Sequence, residues 1–419
     1  MHGELRRRFA AVSSVAPRAY WYVWWGTLIN RLGGFVVPLL TIYVTTVRKE
    51  SVAASGGVIA VFGAGNVLAS LVGGQMADRF GRRVTMLVSL FGGAVAMVGL
   101  GFARDLTEIT IMVGIVGFLG ELYRPAVLAF VSDVIPSSHR VQAFGLLYWA
   151  INLGFAFAAA IGGFVADLDF RILFVADAVT MAVYGVIIAV AVPETRPPPV
   201  PRTKTSIAAP STSPWRDREF MVFVGINLLF VLLPMQLGST LPAHMAWQGF
   251  SPSTFGLVMS VNGLMIIIVQ PLMINWIARR DAQNVMAVAA LLYGVGLVAH
   301  GLAPIAIAHA GAVVIWSLGE ILESSTRSMV VAAMAPAVAR GRYQGLFVMT
   351  WGVGQMLGPK LGTMVWEDIS PFAVWSACAV LAVTVSFTLW ITAASRRARM
   401  VRAAREEADL SAPSPSESS

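Results

Sequence analysis

A single cysteine, Cys378, sits in an apolar run and has no partner, so the chain can hold neither a disulfide nor a cysteine-based metal site. It reads as a small packing residue. Charge is equally scarce: Asp, Glu, Lys and Arg make up 12% of the residues, against about 25% in soluble globular proteins. No GxxxxGK[ST] loop is present to cradle phosphates, so ATP is not expected to drive the protein directly. The five histidines (2, 139, 244, 300 and 309) are scattered without ligand spacing, and no serine sits in a nucleophile-elbow sequence. Neither an enzyme nor a metal or other cofactor is expected. Met1 to Arg18 is basic, but a full-length apolar segment follows it with no small-residue cleavage site, so no cleavable signal is expected.

What fills the chain instead is apolar sequence, 57% of its residues, with a mean hydropathy of +0.73. Segments long enough to cross a bilayer, about 20 residues each, fall near 19–46, 53–76, 84–102, 107–133, 139–165, 171–192, 219–246, 253–278, 283–302, 305–334, 341–366 and 370–394. Period-two alternation is absent and the segments are twice the length of barrel strands, which leaves helices, whose backbones bond to themselves. The sequence therefore predicts an all-α integral membrane protein of twelve transmembrane helices.

Basic residues set the orientation. With Met1 in the cytoplasm, 22 Lys and Arg fall on cytoplasmic segments, four on the other side (Arg48, Lys49, Arg104, Arg171) and four within spans (Arg31, Arg124, Arg327, Lys360). Both termini are thus expected inside, in the inner (plasma) membrane. The same bias accounts for a pI near 10 without nucleic acid as a partner. Trp21, Trp24 and Trp25, at the start of the first span, read as interfacial anchors.

The expected organisation is a cytoplasmic N-terminal segment 1–18, a six-helix bundle 19–192, a cytoplasmic Pro-rich linker 193–218, a second six-helix bundle 219–394, and a partly disordered cytoplasmic tail 395–419. The bundles repeat. A shift of 200 residues aligns Arg140 with Arg340, Gly145 with Gly345, Gly154 with Gly354 and Gly162 with Gly362, and a shift of 199 aligns Leu119-Gly120-Glu121 with Leu318-Gly319-Glu320. Parallel repeats of this kind place a substrate site at the midplane between the halves.

Charges inside spans cost ~2.5–3.5 kcal/mol each on insertion scales, so each needs a reason. Arg31, Glu121, Arg124, Glu320, Glu323 and Arg327 lie near mid-depth, Glu121 and Glu320 at equivalent positions of the two halves. Buried ion pairs that serve only packing are one reading. Sites for proton coupling in a central cavity are the other, because burial raises a carboxylate pKa while a nearby Arg lowers it. Asp177 and Lys360, closer to the outer ends of their spans, read as snorkelling or interfacial groups.

The stretch Gly74-Gln75-Met76-Ala77-Asp78-Arg79-Phe80-Gly81-Arg82-Arg83, running to Leu87, packs charge into one short cytoplasmic turn and reads as part of a gate. It matches G-x-x-A-D-R-x-G-R-R, and on it the chain resembles the major facilitator superfamily, in particular its twelve-span drug:H⁺ antiporters. Only the usual Leu is replaced, by Met76. The resemblance implies two pseudo-symmetric six-helix bundles. It also implies that Gly74 lets span eleven approach span two, that Asp78 faces the amino end of span eleven near Gly341, and that Arg82 pairs with Asp133. Together these would form a cytoplasmic gate that includes Arg79, Gly81 and Arg83. The antiporter signature of span five is partly matched by Gly154, Gly162 and Gly163, with Ala158-Ala159 in place of Gly-Pro; span eleven keeps Gly354, Gly358, Pro359 and Gly362. Arg124 fits the family's R-x-x-x-G in span four, with Leu128 in place of Gly. Close helix packing is in itself a sufficient role for these glycines.

The resulting expectation is a proton-coupled secondary transporter that exports small amphipathic compounds by alternating access. Its partners would be a small-molecule substrate, protons and membrane lipids, and it would act as a monomer. A metabolite symporter or uniporter and a transport-inactive sensor or scaffold are the alternatives.

Overall fold

The computed structural model describes residues 12–34, 36–196, 213–335 and 340–411. Expectations for residues 1–11, for most of the linker (197–212) and for the tail end 412–419 lie outside the described residues. No strand occurs among the described residues. Twelve helical spans run Arg18–Val47, Val52–Phe80, Arg82–Phe102, Leu106–Val134, Arg140–Leu168, Phe170–Ala191, Arg218–Trp247, Pro252–Ala278, Ala282–Leu302, Ala306–Met334, Arg340–Asp368 and Pro371–Ile391. Eleven are long and apolar enough to cross a membrane unaided. Span eleven, which carries Arg342, Lys360, Glu367 and Asp368, is held by packing on spans two and seven.

Hydrogen-bonded caps start many of these helices. Ser51, Asp105, Asp169, Asp217, Ser251, Asp281 and Ser370 each accept a backbone N–H of the first turn, which satisfies donors that the helix itself leaves unpaired. Three spans are interrupted. Span one bends at Gly34 between Arg18–Gly33 and Val36–Ile42. Span seven breaks after Pro234 into a short 3₁₀ turn, Gln236–Gly238. Span four breaks between Leu119 and Tyr123, so it is not the continuous helix expected there, whereas span ten is unbroken.

The face that carries the termini is here called the terminal face and the other the distal face. Spans two and five of the first half meet spans eleven and eight of the second. A Cβ on Gly56 would fall 2.9 Å from Pro359 O, one on Gly63 2.7 Å from the Gln355 backbone, and one on Gly163 2.4 Å from Pro252 O. Gly256 and Gly263 lie against Ala159 and Ala156 in the same way. These seams occupy the distal and middle parts of the spans. One apolar core runs through both halves, while the terminal-face end of the first half has a separate core around Tyr20, Met86, Phe130 and Ile188. A Cβ on Gly74, Gly145 or Gly345 would meet nothing within 4 Å. The halves are thus closed distally and parted toward the terminal face.

One expectation is corrected. Trp24 is a core residue rather than an interfacial anchor: its indole N–H donates to Leu146 O at 2.9 Å and its ring stacks on Trp149. The described part of the tail is a helix, Ala393–Ser411, and its arginines find partners on the second bundle. Arg397 pairs with Asp281 at 3.0 Å, Arg399 with Asp217 at 2.9 Å, and Arg402 with Glu219. Arg396 is buried against the Phe223 ring, and burial pulls its guanidinium down to about 10, still protonated at neutral pH.

Candidate functional site

The charged stretch expected to be a turn is instead two abutting helix ends: residues 74–80 close span two, Arg82 and Arg83 open span three, and Gly81 alone lies between them. Gly81 has φ +104°, a conformation that side chains disfavour, and a Cβ there would meet the Glu194 carboxylate at 2.2 Å. Glu194 accepts the backbone N–H groups of Arg82 (2.8 Å) and Arg83 (3.1 Å), placing an anion at the start of span three, where the helix dipole favours one. The Arg82 guanidinium donates to Asp133 Oδ2 (3.0 Å), Asp78 Oδ1 (3.0 Å) and Ala77 O (2.8 Å), a fork that suits arginine. Arg79 lies over the Phe80 ring. Asp78 is 77% exposed and bonded within its own half. Spans two and eleven approach closely at Gly56 and Gly63, and not at Gly74, where the sequence suggested it and where a Cβ would meet nothing within 4 Å; the side-chain surroundings of Gly341 lie outside the described residues.

In the first half, Glu121 sits at the break in span four and pairs with Arg124. Arg31 donates to the Tyr123 hydroxyl at 2.8 Å, and Asn30 does so at 3.3 Å. Asp177 is 5% exposed and within electrostatic reach of Arg31 and Glu121. The snorkelling role expected of Asp177 is therefore wrong: the side chain is enclosed by the first bundle and does not reach the interface. Lys360 is exposed.

In the second half, Glu323 pairs with Arg327 one turn away. Arg327 also reaches Asn227 Oδ1 at 3.3 Å and lies over the Phe347 and Trp351 rings. Glu320 accepts from Asn262 Nδ2 of span eight at 2.7 Å. Tyr148, from the first half, lies within electrostatic reach of Glu320 and Glu323. Among the described residues no hydrogen bond or ion pair links Glu121 to Glu320; each half has its own network. The signature glycines pack within halves, Gly154 on Arg31 of span one, and Gly354, Gly358 and Gly362 on span seven, while Gly163 faces span eight and Gly162 is buried. Thr363 donates its hydroxyl back to Pro359 O within span eleven. No group of three or more metal-ligating side chains is found among the described residues.

The sequence matches the family model of the Major Facilitator Superfamily over residues 23–359 and again over 219–416. The chain belongs to the Major Facilitator Superfamily. This is a family of multi-pass membrane transporters rather than of enzymes. The chain is 26% identical over 353 residues to the uncharacterised MFS-type transporter YqjV of Bacillus subtilis, covering 82% of this chain and 85% of the relative. It is 24% identical to a Na(+), Li(+), K(+)/H(+) antiporter of Planococcus maritimus, covering 77% and 84%. It is 27% identical to the quinolone resistance protein NorA of Staphylococcus aureus over 34% of this chain and 36% of that protein. A crystal structure of a POT family transporter in complex with a thioalcohol-conjugated peptide superimposes with a TM-score of 0.79 at 15% identity, covering 91% of this chain and 97% of that one. The nucleoside transporter NupG superimposes with a TM-score of 0.76 at 15% identity, covering 89% and 99%, a likeness of fold.

Some polar groups of this superfamily member escape a reading of its sequence. Three histidines taken as isolated converge at the distal end of the second half. His300 and His309 are 2.9 Å apart through their Nδ1 atoms, His309 Nε2 lies 2.9 Å from Gln248 Oε1, and His244 is buried among Trp247, Trp366 and Trp375. A signal existed: 300 and 309 flank one short turn, which folds them together. Gln236 bridges the break in span seven, donating to Leu232 O and Gly358 O and accepting from Thr240. The interruptions of spans one and seven, marked by Gly34 and Pro234 at corresponding places of the 200-residue repeat, were the sequence pointer to them.

Proposed function

We propose that this transporter is proton-coupled and exports small amphipathic compounds across the plasma membrane, with its terminal face in the cytoplasm. Support comes chiefly from Glu320, a half-buried acid at mid-span, held by Asn262 on span eight and within electrostatic reach of Tyr148 of the opposite half. An acid at the seam between halves can change partners when the halves rock, which is what linking protonation to alternating access requires. Aromatic surface at the same level, Tyr148 and Trp351, suits ligands with a flat apolar body. The relatives whose names mention proton antiport or quinolone resistance favour export over import. The Arg82 cluster is read as the inner latch, disengaged in this inward-open conformation and closed against span eleven when the substrate side faces out.

The test is transport in inverted and right-side-out vesicles under an imposed ΔpH, with quinolones and lipophilic cations as probes. Coupled export predicts accumulation in inverted vesicles that collapses with the proton gradient. Accumulation indifferent to the gradient refutes coupling.

A further inference from the structure

Four basic residues face the distal side, against the prevailing charge bias, and three of them meet at one place. Arg48, Arg104 and Arg171 line a cavity of about 700 Å³ between the distal ends of spans one, three and six. One carboxylate, Asp169, shares the lining, but it is engaged in capping span six through the Arg171 N–H at 2.8 Å. Arg48 donates to Ala103 O at 3.1 Å and to Arg104 O, which fixes its guanidinium in the wall. Arg104 and Arg171 are exposed. Below the arginines the lining is apolar, with Phe102 and Leu168 78% and 79% exposed. Tyr43 closes the floor, its ring packed on Phe170 and Phe174.

We infer that this cavity binds the headgroup of an anionic phospholipid, with the acyl chains lying along Phe102 and Leu168. Guanidinium forks match phosphate oxygens in geometry as well as charge. The arginines stand at the ends of the spans, the depth of headgroups, and the exposed apolar side chains beside them run where acyl chains lie. A free anion would be served by the arginines alone and has no use for that apolar wall. The role is independent of proton coupling: a lipid here would brace the distal end of span one, from Tyr43 to Arg48, against spans three and six.

The experiment is native mass spectrometry of the full-length protein in detergent, titrated with phosphatidylglycerol, with phosphatidylcholine of the same acyl chains, or with inorganic phosphate. The wild type is expected to retain phosphatidylglycerol in preference to phosphatidylcholine. The doubly substituted Arg104→Gln/Arg171→Gln protein should bind it about tenfold more weakly, the order expected for lost charge-assisted hydrogen bonds. Arg171→Lys, which keeps the charge, should fall between the two and guards against a folding defect in the double variant. Equal retention of the two lipids, an unchanged affinity in the double variant, or inorganic phosphate displacing phosphatidylglycerol at equal concentration would each overturn the assignment.

Discussion

Asn262 Nδ2 donates to Glu320 Oε2 across 2.7 Å and reaches Ser317 Oγ at 3.0 Å, tying span eight to span ten at the seam with the first half. Replacing Glu320 by Gln preserves shape and a hydrogen-bonding carbonyl but removes the exchangeable proton. Glu320→Gln should lower ΔpH-driven transport in proteoliposomes by about tenfold or more, a change of at least ~1.4 kcal/mol, with an unaltered melting temperature. Glu121→Gln is expected to act in the same direction. Normal gradient-driven rates in both variants would return these acids to a packing role.

Arg82 makes three side-chain bonds that a lysine cannot reproduce as a fork. Arg82→Lys should keep most of the fold's stability, whereas Arg82→Ala leaves Asp133 short of its cation and should cost about 1–3 kcal/mol, less than for a fully buried pair. Detergent melting curves that show no ordering of wild type, Lys and Ala would contradict this arrangement.

The distal seam rests on glycine. A Cβ on Gly256 would fall 2.0 Å from Ala159 O, so Gly256→Val must part spans five and eight. Overpacking of this kind costs ~1–3 kcal/mol, enough to shift a conformational ratio by about 5- to 150-fold. Spin labels on Glu50→Cys and Ile305→Cys in a Cys378→Ala background should report longer distances across the distal face. An unchanged distribution would show that the seam does not hold the conformation.

Asp217 fastens the tail helix. Burial pushes its carboxyl up, but the hydrogen bonds from Arg399, the Phe220 N–H and Tyr343 outweigh it and leave the pKa below the ordinary 3.8. A depressed folded value means that this stabilisation is fully present above the unfolded pKa and is lost as pH falls through the folded one. Melting temperature should be level from neutral pH down to about 4 and then decline in a component that Asp217→Asn removes. An Asp217→Asn protein that keeps the full acid-dependent loss would locate the titration elsewhere.

Much of the architecture was legible because a bilayer allows few solutions. Twelve apolar runs, a linker and a glycine repeat gave the twelve-span fold, since length and composition leave a spanning segment little choice but helix. The residues that escaped are those whose surroundings depend on how the helices meet. Asp177 was misplaced because a hydropathy profile does not say which side of a span faces the other helices, and this carboxylate turns inward. The histidine cluster needed a turn to bring 300 and 309 together. Trp24 was misread because amphipathic rings serve interface and core equally, and only the groove offered by Leu146 and Trp149 decides between them. The docking of the tail's basic stretch was equally out of view, since its arginines meet carboxylates more than a hundred residues away in sequence.

The distal seam and the terminal-face cluster of this transporter are made of different material. The distal seam is mostly backbone against backbone at Gly56, Gly63, Gly163 and Gly256, with a single carboxylate, Glu367, holding the Ala53 N–H. The terminal-face cluster is ionic, with Asp78 largely in solvent. Ionic strength therefore acts on the cluster and hardly on the seam, because salt screens exposed charges within about 10 Å at 0.1 M but does not weaken steric contact. For the latch proposed above, the expected consequence is that added salt biases the population toward the conformation open at the terminal face.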